Sequence, residues 1–534
     1  MKKLYYKYAA TFSLLTATVF EVLVLVYFNI FRVKTAVDQD YAQLLYHAMQ
    51  MADNNKLLLT NWFYSTTAEL DCPMLLAVLF YKAFGDIYYA FALSNLINIA
   101  LWILTINVLM ENVGASLNSK LVAMCLVFAT YDFSVLAYTN MMFIRGSQYT
   151  MKVLIPIMFT TVLTFPRDKQ KSGISIFLNV MFYILAFITS FSSGIYVFLC
   201  GIAPIIVCIF FYYIFNKCNN KKFYLCHVAA VAGVTVLGLF LQSAANLTDK
   251  SDGFMVRNDI TIVEAFFNSI SDVFWALRMF PDYPVPVNSP EAIGIVLRWM
   301  VIALVCFGFI SVKKAFAIEY FGKENTGVNN REFATTALIS VFVFTVLLLT
   351  LIPSRIRYQL IGIIPLMLVA SLNIENWAKG LLENYRAVFY SACGVLFIAN
   401  SIFSLNVDAR LWLNGEKSLY QVNYEVNGEI KRILDENGAD VAYVYENNQL
   451  RAGLTLTDPD RHYKTVVSSG EVWIGWDNYV DIDRRENPDF GNKNAIILGP
   501  HEDETPGYIT DNYRLIGNVD EYEIYYSDYN PIEN

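Results

Sequence analysis

The stretch AATFSLLTATVFEVLVLVYFNIF, residues 9–31, decides the fold class of this chain. It is long enough to cross the hydrocarbon core of a bilayer, which needs about 20 mostly apolar residues. It is too long for the apolar region of a signal peptide, and no small-residue cleavage site follows it. We therefore predict that this stretch is an uncleaved first membrane span.

Further apolar runs of this kind follow along the chain, which predicts about eleven spans in total. Composition agrees, since 56% of the 534 residues are hydrophobic and 16% are charged, whereas soluble domains carry about 25% charged residues. The fold class we expect is an α-helical polytopic membrane protein. The predicted spans lie near residues 9–31, 88–110, 120–142, 150–165, 174–191, 195–215, 224–244, 292–312, 333–352, 358–374 and 387–405.

The C-terminal residues differ from the rest of the chain in charge. From Asn406 onward there are 25 acidic and 11 basic residues, so the remainder is slightly basic although the whole chain has a net charge of −8. We predict a multi-span membrane domain over 1–405, with 32–87 as its first outer loop, and an acidic soluble domain over 406–534. An acidic domain argues against nucleic acid as a partner, because binding it depends on neutralising phosphates.

Local patterns predict that this C-terminal domain is a small α/β domain. Residues 426–437 have helical spacing and end at Gly438, a residue that commonly follows the last turn of a helix. Three short runs rich in β-branched and aromatic residues read as strands, namely 441–445, 495–498 and 522–526.

The distribution of basic residues predicts the orientation in the membrane. Lysines 2, 3 and 7 precede the first span, and the strongly basic short loops all fall on the same side as the N-terminus when eleven spans are counted. Lys and Arg in short loops favour the cytoplasmic side. We therefore expect a cytoplasmic N-terminus and an extracytoplasmic C-terminal domain, with the loop 32–87 also outside.

Two acidic groups in this outer loop are candidates for chemistry. Asp38 and Asp40 follow the first span, where carboxylates can act as a general base or hold a divalent cation such as Mg²⁺ or Mn²⁺. The alternative is a solvated acid or a helix N-cap, for which Asp is favoured. Glu69 and Asp71 lie later in the loop and could complete a metal site or bind an acceptor. Their alternative is an acidic cluster at a helix start.

Basic residues predicted on the same side of the membrane are candidates for binding phosphate. Arg355 and Arg357 lie in a very short outer turn, against the preference for bases inside. A planar guanidinium suits phosphate, and ordinary contact with lipid headgroups is the alternative. Arg145 and Lys152 bracket the outer start of the fourth predicted span and allow the same interpretation.

The order of these features resembles the GT-C superfamily of polytopic glycosyltransferases, particularly the branch of protein O-mannosyltransferases and lipid A aminoarabinose transferases. In that family the first outer loop carries an acidic motif followed by an amphipathic helix, as does Asp38-Gln39-Asp40-Tyr41 here. A segment with proline and leucine follows, and Asp71-Cys72-Pro73-Met74-Leu75 resembles it. The apolar stretch after it ends in Phe84-Gly85, as in the family.

The second half of the resemblance lies late in the predicted membrane domain. The family has an Arg-Tyr pair with a proline seven residues after the tyrosine, and Arg357-Tyr358 with Pro365 resembles that pattern. Arg145 is similar to an arginine at an outer helix end between these landmarks. The resemblance thus adds Tyr358 to the candidate phosphate-binding residues.

The resemblance implies sugar transfer on the outer face of a bacterial plasma membrane. The donor would be a sugar linked to polyprenyl phosphate, and the acceptor a glycan, a lipid or a protein. The basic residues would stabilise the leaving phosphate, and Asp38 or Asp40 would take the proton of the acceptor. A single displacement would invert the anomeric centre. Three alternatives stay open: a transporter or flippase of lipid-linked sugars, a polysaccharide polymerase, and a catalytically inactive member of the family.

Overall fold

The fold is known from a computed structural model that describes most of the chain. Contacts divide the chain into two compact units. The first unit comprises Met1–Phe31, Thr66–Pro73 and Ala92–Asn414, and the second comprises Arg32–Ser65, Met74–Phe91 and Gly415–Asn534. The described residues are 2–59, 62, 64, 67–71, 73–131, 138–166, 168–214, 221–245, 259–280, 284–315, 330–352, 356–413, 422–473, 487, 489–500 and 505–532.

The regular secondary structure of the first unit is helical as far as it is described. Short π-helical turns at Asn140–Ile144 and Phe198–Ile202 and a 3-10 turn at Ile356–Gln359 adjoin its longer helices. Those helices are α1 (Lys2–Phe31), most of α4 (Ile87–Asn112), α5 (Leu117–Phe128), α6 (Thr150–Leu163), α7 (Gly173–Ser193), α8 (Ala203–Ile214), α9 (Lys221–Ala245), α10 (Ile262–Ala276), α11 (Pro290–Ala315), α12 (Asn330–Leu351), α13 (Leu360–Lys379) and α14 (Glu383–Leu413).

The helices confirm the predicted class of a polytopic membrane protein. Within the described ranges, eight are long and apolar enough to cross a bilayer. They are α1, α4, α7, α9, α11, α12, α13 and α14. Each of the three other predicted spans overlaps a shorter apolar helix, at Leu117–Phe128, Thr150–Leu163 or Phe198–Ile214. All eleven predicted runs therefore contain an apolar helix.

The third predicted span, 120–142, is not one continuous helix as far as it is described. Helix α5 ends at Phe128, and Ala129 has φ −55° and ψ 135°. The hydroxyl of Tyr131 donates to the carbonyl of Leu126 at 2.7 Å, and that of Tyr138 donates to the carbonyl of Val127 at 2.8 Å. These bonds satisfy carbonyls that the end of a helix leaves without a partner. Residues 132–137 lie outside the described residues.

The second unit joins the helices of the first outer loop to the C-terminal residues, a grouping that we did not predict from the sequence. A 3-10 turn at Val33–Ala36 precedes its first α-helix. Its helices are α2 (Gln39–Asp53), α3 (Met74–Phe84), α15 (Tyr424–Asn437), α16 (Asn448–Thr457) and α17 (Gly507–Asn512). Its strands are β1 (Val441–Tyr445), β2 (His462–Val466), β3 (Val472–Trp473), β4 (Asn494–Leu498), β5 (Arg514–Val519) and β6 (Tyr522–Ser527).

The six strands form one mixed sheet in the order β3-β2-β1-β4-β6-β5. Strand β1 pairs in parallel with β2 on one side and with β4 on the other. The outer pairs β2–β3, β4–β6 and β5–β6 are antiparallel. The predicted α/β character of the C-terminal domain is therefore confirmed. Helix α15 ends at Gly438, whose φ of +66° is the left-handed conformation that favours glycine.

The central strands bury both faces of the sheet. Along β1, Ala442 and Val444 belong to one apolar cluster, while Val441 and Tyr443 belong to the other. Successive side chains of a strand point to opposite faces, so a strand covered on both sides needs apolar residues at every position. The buried residues 495–498 of β4 follow the same rule.

Candidate active site

The described part of the first outer loop includes a segment that belongs to the first unit. The backbone N–H of Ala68 donates to the carbonyl of Ser192 at 2.9 Å. The side-chain amide of Gln242 donates to the same carbonyl at 3.4 Å. Ser192 lies near the end of α7, where carbonyls have no partner within the helix. These bonds attach the segment 67–71 to the end of α7.

Asp71 is buried at the end of this segment. Its side chain is fully inaccessible to solvent, and its carboxylate accepts hydrogen bonds from the hydroxyls of Ser192 at 2.9 Å and Ser193 at 2.6 Å. The ammonium nitrogen of Lys152 lies 3.3 Å from Oδ2 of the same carboxylate. A buried charge needs such partners, because leaving water is otherwise costly. We call Asp71, Lys152, Ser192 and Ser193 the Asp71 cluster.

Lys152 brings a second predicted residue into this cluster. It lies in the first turn of α6 and is 7% exposed. Its ammonium also donates to the carbonyl of Gln148 at 3.0 Å and lies 5.1 Å from the centre of the Tyr149 ring. The structure thus brings together Lys152, predicted to bind phosphate, and Asp71, predicted to bind a metal or the acceptor.

Aromatic rings connect the cluster to the predicted Arg-Tyr motif. The ring of Tyr149 lies 6.1 Å from that of Tyr358, and the ring of Tyr196 lies 5.3 Å from it. The hydroxyl of Tyr196 donates to the carbonyl of Tyr358 at 2.7 Å. Arg357 is half-buried and lies in the same 3-10 turn as Tyr358. Arg355 lies outside the described residues.

Arg145 belongs to a neighbouring polar group of the same unit. It follows the π-helical turn at Asn140–Ile144 and is 1% exposed. Its carbonyl accepts from the side-chain amide of Asn95 at 3.1 Å, and that amide also donates to the carbonyl group of the Asn29 side chain at 2.8 Å. Its guanidinium lies 3.9 Å from the sulfur of Met141. Through its carbonyl, Arg145 is attached to Asn95 of α4.

Asp38 and Asp40 lie in the second unit at the start of α2. Asp38 is buried and is the N-cap, since its Oδ1 accepts from the backbone N–H of Tyr41 at 3.0 Å. Asp40 is half-buried in the first turn. The capping role is the alternative that the sequence left open for these acids. Because a cap uses the carboxylate as an acceptor, it is compatible with a further chemical role.

Glu69 adopts an unusual backbone conformation. It is half-buried and has φ +61°, the left-handed region that few residues other than glycine adopt. Such conformations cost roughly 1–3 kcal/mol and persist where surrounding contacts impose them. Here the bonds of Ala68 and Asp71 to Ser192 flank Glu69 on both sides.

The predicted cation does not fit the surroundings of Asp71. Among the residues that the structure describes, no three His, Cys, Asp or Glu side chains form a group that could hold a metal ion. The carboxylate of Asp71 already faces one ammonium group and two hydroxyls. Mg²⁺ instead requires an octahedral set of oxygen ligands that usually includes water.

Four residues of this site were absent from the predicted set. Ser192, Ser193, Tyr149 and Tyr196 lie at helix ends and contribute hydroxyls or rings. The run Ser192-Ser193-Gly194 interrupts a long apolar stretch and was the available signal in the sequence. Gly194 has φ +66° and ends α7 directly after the two serines.

Comparison with solved structures identifies the fold. ArnT, the lipid A aminoarabinose transferase, from Cupriavidus metallidurans in the apo state aligns with a TM-score of 0.55 and 11% identity over 96% of this chain and 97% of that chain. The structure of the same protein bound to undecaprenyl phosphate aligns with a TM-score of 0.49 and 12% identity over 96% of this chain and 98% of that chain. No protein-family model and no curated protein matches the sequence significantly. The apo alignment confirms the predicted GT-C fold.

Proposed function

We propose that this chain is a membrane glycosyltransferase that moves a sugar from a polyprenyl-phosphate donor to an extracytoplasmic acceptor. The observation that carries the proposal is the position of the predicted motifs within an ArnT-like fold. Asp38 and Asp40 open the first α-helix after the first span, and Arg357-Tyr358 directly precedes α13, which contains Pro365. Because fold alone does not define function, the proposal rests on these side chains and their chemistry.

The reaction we propose is a single displacement at the anomeric carbon. The acceptor oxygen forms a bond to that carbon while the bond from the carbon to the donor phosphate oxygen breaks. Asp38 or Asp40 takes the acceptor proton, and polyprenyl phosphate leaves with the electron pair. Such a displacement inverts the anomeric centre.

Basic side chains would stabilise the negative charge that develops on the leaving phosphate. Arg357, Arg355, Arg145 and Lys152 are the proposed groups, with Tyr358 as a neutral partner. Lys152 also neutralises Asp71, so we assign it a supporting contribution. The acceptor would be a glycan, a lipid or a protein of the bacterial cell envelope.

No step of this reaction is assigned to a metal ion. Asp38 and Asp40 were the proposed ligands for Mg²⁺ or Mn²⁺, with Glu69 and Asp71 to complete the site. Asp38 instead caps α2, and the environment of Asp71 suits the ammonium group of Lys152 better. We expect transfer to continue after dialysis against EDTA. A loss of activity that Mg²⁺ or Mn²⁺ restores would place a cation elsewhere in the site.

The decisive experiment separates capping by Asp38 from proton transfer. Purified protein would be given a panel of undecaprenyl-phosphate-linked sugars, and release of undecaprenyl phosphate would be measured. Asn is as good an N-cap as Asp, so Asp38→Asn preserves α2 while removing the charge. We expect turnover to fall about 10²-fold or more in Asp38→Asn or in Asp40→Asn. Full activity in both variants and in the double variant would exclude acid–base roles for the two residues.

A second arm of this experiment tests donor binding. Removing a charge-assisted contact to phosphate costs roughly 1.5–3 kcal/mol, so Arg357→Gln should weaken donor use about ten- to a hundredfold. Arg357→Lys should recover part of this loss, because Lys offers a point charge and not a planar fork. Arg432→Gln, at an exposed position of α15, is the matched control. Equal donor dependence in all variants would leave Arg357 as a membrane-interface anchor.

Movement of the intact donor across the bilayer without release of the sugar would instead support a flippase.

The proposed location requires that the C-terminal domain lies outside the cytoplasm. Reporter fusions after residues 315 and 410 should report opposite sides of a bacterial plasma membrane, because basic short loops favour the cytoplasm. Reporters on the same side would refute the proposed orientation.

A further inference from the structure

The backbone on each side of Asp38 is held by residues from the C-terminal part of the same unit. The N–H of Val422 donates to the carbonyl of Val37 at 2.9 Å. The N–H of Gln39 donates to the side-chain oxygen Oε1 of Gln449 at 3.0 Å. In each of these two bonds, the donor and the acceptor residues are more than 380 positions apart in the chain, so the fold brings them together.

The bond from Gln39 to Gln449 meets a specific need of α2. The first four N–H groups of a helix have no acceptor within the helix. Asp38 supplies an acceptor for Tyr41, the third residue of α2, and Gln449 supplies one for Gln39, the first residue. The start of α2 is therefore capped jointly by Asp38 and by a residue of the C-terminal segment.

Gln449 stands on a well-anchored helix. It lies in the first turn of α16, where the side chain of Asn447 caps the helix by accepting from the N–H of Leu450 at 2.9 Å. Leu450 and Leu454 of this helix lie in an apolar core cluster beside the sheet. Helix α16 also packs directly against α2. A side chain on such a helix has a defined position from which to orient a neighbour.

The start of α16 lies at the carboxyl ends of the parallel strands. Helix α16 follows the carboxyl end of β1, which pairs in parallel with β2 on one side and β4 on the other. The connection that follows β1 leads to β2 on one side, and the connection that follows β4 leads to β5 on the other, so the topological switch point of this sheet lies between the carboxyl ends of β1 and β4. Functional residues of such sheets concentrate in the loops at this edge. In this chain the start of α2 lies against that edge, through Gln449.

We infer that Gln449 is a positioning residue for the acidic motif at Asp38 and Asp40. The C-terminal domain thereby contributes to the transfer reaction. This inference rests on the proposed function, since it assigns Gln449 an effect on the chemistry of Asp38. By accepting from Gln39, Gln449 fixes the first turn of α2 and with it the carboxylate of Asp38.

The test compares Gln449→Ala, Gln449→Glu and Asn437→Ala in the full-length protein. Loss of one neutral hydrogen bond should lower kcat about 2- to 12-fold in Gln449→Ala with little change in the KM for the donor. Gln449→Glu keeps an acceptor oxygen and should recover most of the loss. Asn437→Ala removes a side-chain bond to the carbonyl of Ile433 within α15 and is the matched control. Wild-type kcat in Gln449→Ala would overturn the inference.

A double variant shows whether Gln449 acts through Asp38. If it does, Gln449→Ala should lower kcat no further when it is added to Asp38→Asn, because coupled residues are not additive. Independent, multiplicative losses would overturn the inference.

Hydrogen exchange separates this inference from the proposed function. Peptides covering 39–45 should lose protection in Gln449→Ala and keep it in Asn437→Ala, whatever reaction the protein catalyses. Unchanged protection in Gln449→Ala would refute the positioning role. Transfer activity that is absent from the wild-type protein would refute the proposed function, and this exchange result would still decide the structural role of Gln449.

Discussion

The buried pair of Asp71 and Lys152 allows a quantitative test of the site. We would replace Asp71 by Asn, Lys152 by Met, and both together. Asp71→Asn keeps a polar group for the serine hydroxyls but removes the negative charge that lies next to the buried ammonium group of Lys152. Breaking a buried pair by removing one partner typically costs 3–5 kcal/mol. The double variant removes both charges and should recover a large part of that loss.

The magnitude follows from the geometry. The charged atoms are 3.3 Å apart, and their side chains are 0% and 9% exposed. With an effective dielectric constant of about 20, Coulomb's law gives an attraction of roughly 5 kcal/mol, which desolvation reduces. We therefore expect a coupling energy of about 2–3 kcal/mol in the double-mutant cycle, at the upper end for residues in contact.

The chain provides a matched control for burial. Lys169 and Glu111 form an ion pair of 2.9 Å with both side chains 51% exposed. That pair is closer than the buried one, yet solvent screens it, so its coupling should be much weaker. Both cycles would be measured by unfolding the full chain in mixed micelles with increasing SDS. A coupling at Asp71 and Lys152 no larger than that of the control pair would refute the assignment of a buried pair.

Two further predictions concern packing and pH. A Cβ added at Gly394 in α14 would lie 2.9 Å from the backbone oxygen of Ser13 in α1, whereas one at Gly233 would meet nothing within 4 Å. Gly394→Ala should therefore destabilise the chain by about 1–3 kcal/mol in the SDS assay, and Gly233→Ala should not. The hydrogen bond from Arg461 lowers the pKa of Asp435, so its stabilisation is present above the unfolded pKa and is lost as pH falls through the folded one. Hydrogen exchange of peptides from 431–466, corrected for intrinsic rates, should rise below about pH 4 in the wild type and depend less on pH in Asp435→Asn.

The elements that the sequence predicted well are those with a local signal. Each of the eleven apolar runs contains a helix because length and hydropathy are properties of the run itself. The stop at Gly438 and the strands 441–445 and 495–498 likewise follow from nearby residues. The break after Phe128 was missed because hydroxyls of later tyrosines satisfy the helix end, and apolar composition does not show which carbonyls those hydroxyls reach.

The polar contacts of the candidate site have no such local signal. Asp71 lies 121 positions before Ser192, and Gln39 lies 410 positions before Gln449. An apolar residue can be satisfied by any apolar neighbour, so its periodic spacing is enough to predict its burial. A buried charge or an open helix start needs one particular partner with the correct geometry, and spacing does not identify that partner. Asp38 shows the consequence: its capping bond is local and was foreseen as an alternative, whereas the distant Gln449 that completes the same helix start could be found only in the fold.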